Sequence, residues 1–417
     1  MPVRYNILAL LFLISLLTFL DRVNISVAGT FINAAYHFSS VQYGLIFSAF
    51  VFGYMLFQLP GGYLADRFGP RRVLTWAIIW WSIFTLLTAL AGEIATATLL
   101  GVFTSFVLIR FLIGLGEGVA YPASSKMVSL WIPQQQRAFA NGVLLAGIGV
   151  GSALTPPLIT WIIGQYGWQS AFYLCGGLGF LVALGWYLYA RDNPQEHPAM
   201  TTEELQMLPP PVAKSASFAG VGIIIKDRNI WFLSASYFVF GYIIYIYYSW
   251  FFIYLVNEKH IEIVKGSLWA TLPFIAMAIT APLGGWISDR LNRRFGFRGR
   301  RYLGIGSMLL VAVAIYLGTA AHDLLTAVLL LSSGAGFLFL TVGNYWACAT
   351  DLHADKAGSS TGFMNTFANI GGTLSPTLTP LIAEKMGWNS ALLFAAGLAI
   401  IGALLWLGVR SEQTPSP

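Results

Sequence analysis

Gly61-Gly62-Tyr63-Leu64-Ala65-Asp66-Arg67-Phe68-Gly69-Pro70-Arg71-Arg72 has a counterpart farther along the chain, Gly284-Gly285-Trp286-Ile287-Ser288-Asp289-Arg290-Leu291, followed by Asn292-Arg293-Arg294. Each stretch closes a long apolar run with a pair of glycines, an apolar spacer, Asp-Arg and a basic cluster. Glycines let helices in a membrane approach closely. The aspartate can cap or pair at a helix end, and the basic residues hold a loop at the inner membrane face. A repeat at the same place in two halves, with a cavity between them, describes a rocker-type transporter.

The composition agrees with a chain that lives in lipid. The 417 residues are 57% hydrophobic and 10% charged, against roughly a quarter charged in soluble domains, and the mean hydropathy is +0.70. Apolar stretches of about 20 residues mark twelve spans: 5–30, 41–64, 73–92, 98–121, 139–163, 169–190, 229–256, 266–287, 302–320, 325–349, 359–383 and 389–409. The predicted fold class is an all-α membrane protein with twelve transmembrane helices in two six-helix bundles. The N-terminal bundle covers 1–190 and the C-terminal bundle 229–417. The 191–228 stretch is a cytoplasmic linker containing Pro194, Pro198 and Pro209-Pro210-Pro211, with a short surface helix starting at Thr201-Thr202-Glu203-Glu204. Arg4 before an apolar run and Ser26-Val27-Ala28 imitate a secretory signal, but that reading strands Asp21 and Arg22 and leaves eleven spans.

With the N-terminus inside, only Lys259, Lys265 and Lys385 fall on the outer side, Arg22 and Arg110 lie within spans, and the remaining basic residues gather on the inner side. Both termini are then cytoplasmic and the chain is multi-pass in a cell (inner or plasma) membrane. The net charge of +6 is topological, so it calls for no nucleic-acid partner. Cys175 and Cys348 fall within apolar spans and carry no information on disulfides.

The first span asks more. In Phe19-Leu20-Asp21-Arg22-Val23-Asn24-Ile25-Ser26, a span ending at Leu20 would be too short to cross. Continuing through Val23, Ile25, Val27 and Ala28 puts both charges inside. Four ionisable groups remain in the membrane: Asp21, Arg22, Arg110 and Glu117, all in the N-terminal half. An unpaired charge at the bilayer centre costs about 2.5–3.5 kcal/mol on insertion scales. Buried pairs stabilise poorly, so a function is the stronger explanation of four such groups than a structural cluster. Arg110, Gly114, Glu117, Gly118 and Tyr121 share one helical face, with Arg110 and Glu117 about 10 Å apart along the axis. A carboxylate ligand needs a cation, and arginine offers a permanently charged fork. A carboxylate near that arginine occupies it while ionised and frees it once protonated.

The stretch GGYLADRFGPRR resembles the signature loop of the major facilitator superfamily, and Arg110-Phe111-Leu112-Ile113-Gly114 with Gly118 resembles its fourth-helix pattern. LDRVNISVA and RFLIGLGEGVAYPA look like the anion:cation symporter family, which includes proton-coupled galactonate, glucarate and hexuronate carriers and, more distantly, sialin and the vesicular glutamate transporters. The resemblance covers essentially the whole chain and implies the major facilitator fold and a proton-driven symporter importing a small organic anion such as a sugar acid, by alternating access. It carries Asp21 and Glu117 over as proton-coupling residues and Arg22 and Arg110 as anion or coupling residues. Tyr54 and Gln58 match family positions facing the cavity, and Asn365 in GFMNTFANIGG matches an asparagine of the eleventh span. Packing explains Gln58 equally well, and Asn365 equally serves a neighbouring helix. Asp66, Arg67, Asp289 and Arg290 of the repeated loops are the gating residues it implies. Ile148 stands where sugar-acid relatives can carry a polar residue, which weakens the case for a richly hydroxylated substrate.

The seventh span is aromatic from Tyr237 to Tyr254, and most of these rings are expected to face lipid or pack. It holds no charge within its core, whereas phosphate antiporters of the superfamily place a cation there, so a carboxylate is favoured. His37, His197, His260, His322 and His353 read as solvated. No nucleotide loop, metal spacing or nucleophile constellation stands out, so neither an enzyme, a metal site nor a cofactor is expected, and the energy source is a proton gradient. The partners are an organic anion, protons and membrane lipid, and the chain is expected to act as a monomer. The rival readings are an exchanger or exporter of the same fold, and a sensor that does not transport.

Overall fold

The computed structural model describes residues 2–98, 100–133, 137–208, 224–352 and 357–410. The Asp66 side chain, Pro209-Pro210-Pro211, Lys214, Ser215, His353 and Lys356 lie outside the described residues. The chain divides into two compact units, Met1–Ala216 and Ser217–Pro417.

In the first unit, helix α1 (Val3–Tyr36) runs 34 residues without a break, about 50 Å at 1.5 Å per residue, so Asp21 and Arg22 lie in its interior. Its backbone groups are satisfied within the helix, as lipid requires, and it ends at His37 in the left-handed region (φ 54°). Helix α2 (Ser40–Phe68) starts at a capping box, with Gln42 N–H donating to Ser39 Oγ and Ser39 N–H to Gln42 Oε1. Helix α3 (Pro70–Ala89) follows Gly69, whose φ of 90° suits glycine, and Asp192 Oδ1 accepts the Arg71 N–H at its first turn, 2.8 Å away. Then come α4 (Ala91–Thr98), α5 (Val102–Glu117), α6 (Ala120–Trp131), α7 (Arg137–Tyr166), α8 (Trp168–Tyr189) and the short α9 (Thr202–Gln206), which Thr201 caps as the sequence reading expected.

The stretch after α8 is not a loose surface segment. Glu204 is buried and accepts the Val3 and Arg4 N–H groups, capping α1. His197, expected to be solvated, is buried against Trp131 and Tyr189, and its Nδ1 accepts the Ala199 N–H. Its ring is apolar enough to fill a gap between two aromatics, a role that its identity alone does not reveal.

The second unit contains α10 (Arg228–Ser249), extended by Phe251–Ile253 and a π-helical turn over Tyr254–Glu258, then α11 (Ile263–Ala270), α12 (Leu272–Phe295), α13 (Phe297–Ala320), α14 (Leu324–Phe339), α15 (Val342–Leu352), α16 (Ala357–Met386) and α17 (Trp388–Gly408). Of the two roles expected for the aromatic residues of the seventh span, packing is the one most of them take. Tyr237, Phe240, Tyr242, Tyr247, Tyr248, Trp250, Phe251, Phe252 and Tyr254 are all buried, because α10 is packed on several sides, with Tyr242 Oη bonded to Thr379, Tyr247 Oη to Leu331 O and Trp250 Nε1 to Pro376 O.

Among the described residues, eleven helical segments are long and apolar enough to cross a membrane. Helix α16 covers the expected eleventh span but is not among them. Its 30 residues include Asn365, Asn369, Thr373, Ser375, Thr377 and Thr379 and two internal prolines.

The repeat is visible in the packing. Gly61 faces the backbone of Val119, where α5 gives way to α6, and Gly284 faces the backbone of Leu340, where α14 gives way to α15. In both units the first glycine of the pair admits the neighbouring helix at its break, and there is no room for a Cβ. The second glycines, Gly62 and Gly285, have room for one.

Candidate functional site

Close packing of α2 on α5 sets up the site. A Cβ on Gly53 would meet Phe111 O, one on Gly114 would meet Phe50 O, and one on Gly118 would meet Tyr54 O. With no side chains between them, the two backbones come together and bring Phe50 and Tyr54 beside the inner face of α5. Glu117 is the last residue of α5, at the break before α6.

Arg22 reaches across from α1. Its Nε donates to Glu117 Oε2 at 2.9 Å, with the two side chains 8% and 0% exposed. The guanidinium is also surrounded by rings, its carbon 4.3 Å from the Tyr54 centroid, 4.7 Å from Phe19 and 5.1 Å from Phe50. Cation–π contacts strengthen as they are desolvated, so these rings hold the cation where a bare hydrocarbon wall would expel it. Arg110 lies 4.5 Å from the same Phe50 ring and is buried. Both guanidinium groups therefore lie against one phenyl ring.

Asp21 turns elsewhere. Successive residues of a helix point about 100° apart, so its sequence neighbour Arg22 cannot share its direction. The Asp21 carboxyl is buried, with Glu117, Arg110 and the Cys175 thiol of α8 among the groups near it. Asn24, one turn on, donates to the same sulfur at 3.4 Å. The carboxylate that Arg22 meets is thus Glu117, on another helix, and not its sequence neighbour Asp21. Tyr121, on the continuation of the same face, hydrogen-bonds Ser15 at 2.9 Å.

The remaining expected residues are more scattered. Gln58 is half-buried on α2. Asn365 lies half-buried in the second unit, where its carbonyl accepts from the Asn369 side chain. Arg67 and Arg290 are exposed, against Phe68 and Trp286. At the first loop it is Arg71 that is anchored, its guanidinium donating to Tyr187 O. At the second, Asp289 lies 3.9 Å from the buried Arg300, which makes a closer 3.0 Å pair with Asp351. Asn344 ties this cluster together, accepting from Ser288 Oγ and donating to Arg300 O. Sequence reasoning missed Phe19, Phe50, Arg71, Cys175, Arg300 and Asp351. Phe50 was findable, being one helical turn before Tyr54.

The model of the Major Facilitator Superfamily matches residues 11–376. The chain belongs to that superfamily. It is 32% identical to the probable sulfoacetate transporter SauU of Cupriavidus necator, over 99% of this chain and 95% of the relative. It is also 32% identical to the hexuronate transporter of Bacillus subtilis, over 96% and 93%, and 30% identical to the probable galactarate/D-glucarate transporter GarP of Escherichia coli K12, over 98% and 95%. In three dimensions it resembles a bacterial homologue of the human lysosomal transporter Spinster, crystallised inward-facing and occupied, with a TM-score of 0.80, 19% identity and full coverage of both chains. That likeness is one of fold. As a member of the superfamily, the protein is a multi-pass membrane transporter and not an enzyme, and transporters of this type need no cofactor.

Proposed function

We propose that the protein is a proton-coupled symporter that imports a small organic anion bearing a carboxylate or similar acid group. The observation that carries the proposal is the buried 2.9 Å pair of Arg22 with Glu117. While ionised, Glu117 occupies the fork that an anion needs. Protonation of Glu117 releases Arg22, and the anion takes the place of the carboxylate. Arg110, which lies against the same Phe50 ring, supports the same charge, and Tyr54 shapes the pocket. Asp21 is the second proton-coupling residue, acting from the α1–α8 side. Gln58 and Asn365 are the polar contributors to substrate recognition. Asp66, Arg67, Asp289 and Arg290 take part in gating, with Arg300 and Asp351 holding the second loop. The names of the relatives, carriers of sulfoacetate, hexuronates and galactarate or glucarate, support a small acid as cargo. The energy comes from a proton gradient across a cell membrane. We place both termini and the 191–228 linker in the cytoplasm and take the working unit to be a monomer.

The test uses purified protein in vesicles. A thermal-shift panel of sugar acids, short dicarboxylates and sulfonated carboxylates selects the ligand, and uptake of that ligand is then driven by acidifying the outside. Accumulation above equilibrium is expected. Counterflow without any response to the pH gradient makes the protein an exchanger instead. External labelling of a cysteine placed at Ser215 overturns the orientation.

A further inference from the structure

The second unit holds a groove of about 500 Å³ that the charged site does not involve, lined by Lys226, Arg228, Trp231, Phe232 and Leu405 among others. It lies where α10 begins and α17 ends. The Arg410 N–H donates to Asn229 Oδ1 at 2.7 Å, and the Phe232 ring packs on Gly408. Trp406 packs on Gly304 of α13, so the same end of the unit also carries Arg298, Arg300 and Arg301. Among the described residues, three acidic groups lie at this end. Asp227 caps α10 through the Asn229 N–H, and Asp289 and Asp351 engage Arg300. Lys226 and Arg228 have no ion-pair partner among the described residues. The end is therefore strongly basic, with two exposed cations at the mouth of the groove.

The walls are of another kind. Trp231 and Ile225 are 42% and 46% exposed. The Trp231 indole N–H is already bonded to Ile225 O at 2.7 Å, and its ring abuts Phe363 and Phe367, so it offers only an apolar surface. The Arg228 guanidinium lies 5.1 Å from the Phe232 ring, which braces it at the rim. Leu404 and Leu407 of α17 are largely exposed beside the groove. A free anion would gain little from such walls, whereas an amphiphile can use both parts. Basic pockets beside membrane helices at the inner face are the ones that suit anionic lipid headgroups.

We propose that this groove binds the phosphate headgroup of an anionic phospholipid, with Lys226 and Arg228 at the phosphate and the acyl chains along the exposed apolar flanks of α10 and α17. The proposal uses none of the residues assigned to substrate or protons, and takes from the transport reading only the placement of this end at the cytoplasmic face.

The test is native mass spectrometry of the full chain released from mixed micelles containing phosphatidylglycerol and phosphatidylcholine, with Lys226→Gln/Arg228→Gln as the variant. The wild type should retain phosphatidylglycerol preferentially. At about 1 kcal/mol per basic residue, the double variant should lose on the order of thirtyfold in that preference, and Lys226→Arg should keep it. Arg293→Gln/Arg294→Gln removes the same charge from the same face and should leave the preference intact. The proposal is overturned by no preference in the wild type, an unaltered preference in the double variant, an equal loss in the control pair, or lipid binding that arises only when the chain is cut after Arg410, which assigns the groove to the chain's own tail. Inorganic phosphate should not shift the melting of the wild type. A shift that the double variant abolishes makes the site one for free phosphate and likewise overturns the lipid assignment.

Discussion

Replacing Glu117 by glutamine removes the charge that holds Arg22 and leaves the shape of the site nearly unchanged. In the wild type at alkaline pH an incoming anion must displace a carboxylate 2.9 Å from the arginine. The Coulomb attraction of such a pair is about 4 kcal/mol at an effective dielectric constant near 20. Part of it returns as Arg22 pairs with the anion, so the net handicap should be closer to the 1.5–3 kcal/mol of a charge-assisted hydrogen bond, roughly tenfold to a hundredfold in affinity. Glu117→Gln should therefore bind the transported anion at pH 8 about ten to a hundred times more tightly than the wild type. Wild-type binding should tighten as pH falls, because protonation releases Arg22, while the variant's affinity should stay flat. The unliganded variant should melt lower, since Arg22 loses a buried partner, and recover more on ligand addition. Calorimetric titration at pH 8 and pH 6 measures the affinities. In vesicles the variant should exchange labelled for unlabelled anion yet fail to concentrate it when the outside is acidified. If it binds no more tightly at pH 8 and keeps the wild-type pH slope, Glu117 does not compete for Arg22 and the switch is wrong.

Arg22→Lys keeps a cation but loses the fork and much of the ring stacking, so binding by titration should weaken at least tenfold while the circular dichroism spectrum stays helical. Asp21→Asn, away from the arginine, should impair acid-driven accumulation more than binding, which comparison of counterflow with uphill uptake reads directly. Gly284→Ala pushes a methyl into the Leu340 backbone and should cost about 1–3 kcal/mol in denaturant unfolding, whereas Gly285→Ala meets nothing within 4 Å and should be neutral. Burial between Trp131 and Tyr189, and then the charge of Arg191, holds the His197 imidazole below its ordinary value. The folded chain thus binds fewer protons there than the unfolded one, and the stability this packing contributes is present above about pH 6.5 and lost below it. His197→Gln should flatten the fall in melting temperature between pH 7.5 and 5.5.

The apolar helices and the charged groups buried among them were legible because lipid enforces them: length, apolarity and the price of a buried charge all leave marks in composition. Pairing left no such mark. Asp21 and Arg22 are neighbours in sequence and diverge in space, while Arg22 and Glu117 are 95 positions apart and touch. The aromatic residues of α10 were left between lipid and packing for a related reason. In a membrane, apolarity does not separate a core face from a lipid face, so Tyr242 and Trp250 could be located only by the hydrogen bonds their polar atoms make. His197 and Glu204 were hidden because a stretch rich in proline and charge reads as solvated unless its partners are known. Asp66, Arg67, Asp289 and Arg290 were read from the motif letters, whereas the anchors observed in the two loops, Arg71 and Arg300, stand farther along the chain.

Helix α16 bears on how the protein is made. A segment carrying two asparagines, several hydroxyl residues and two prolines partitions poorly into lipid by itself, so the translocation channel has little reason to release it alone. Its partner is α10, inserted earlier in synthesis. Gly241 faces Ala368, Gly371 faces Phe238, and Tyr242 and Trp250 reach Thr379 and the carbonyl of Pro376. The nascent α16 would then leave the channel by docking on α10. A ribosome-bound intermediate truncated just after Met386 should hold the helix in the bilayer only when α10 is present, so the order of the genetic message is itself part of the folding pathway.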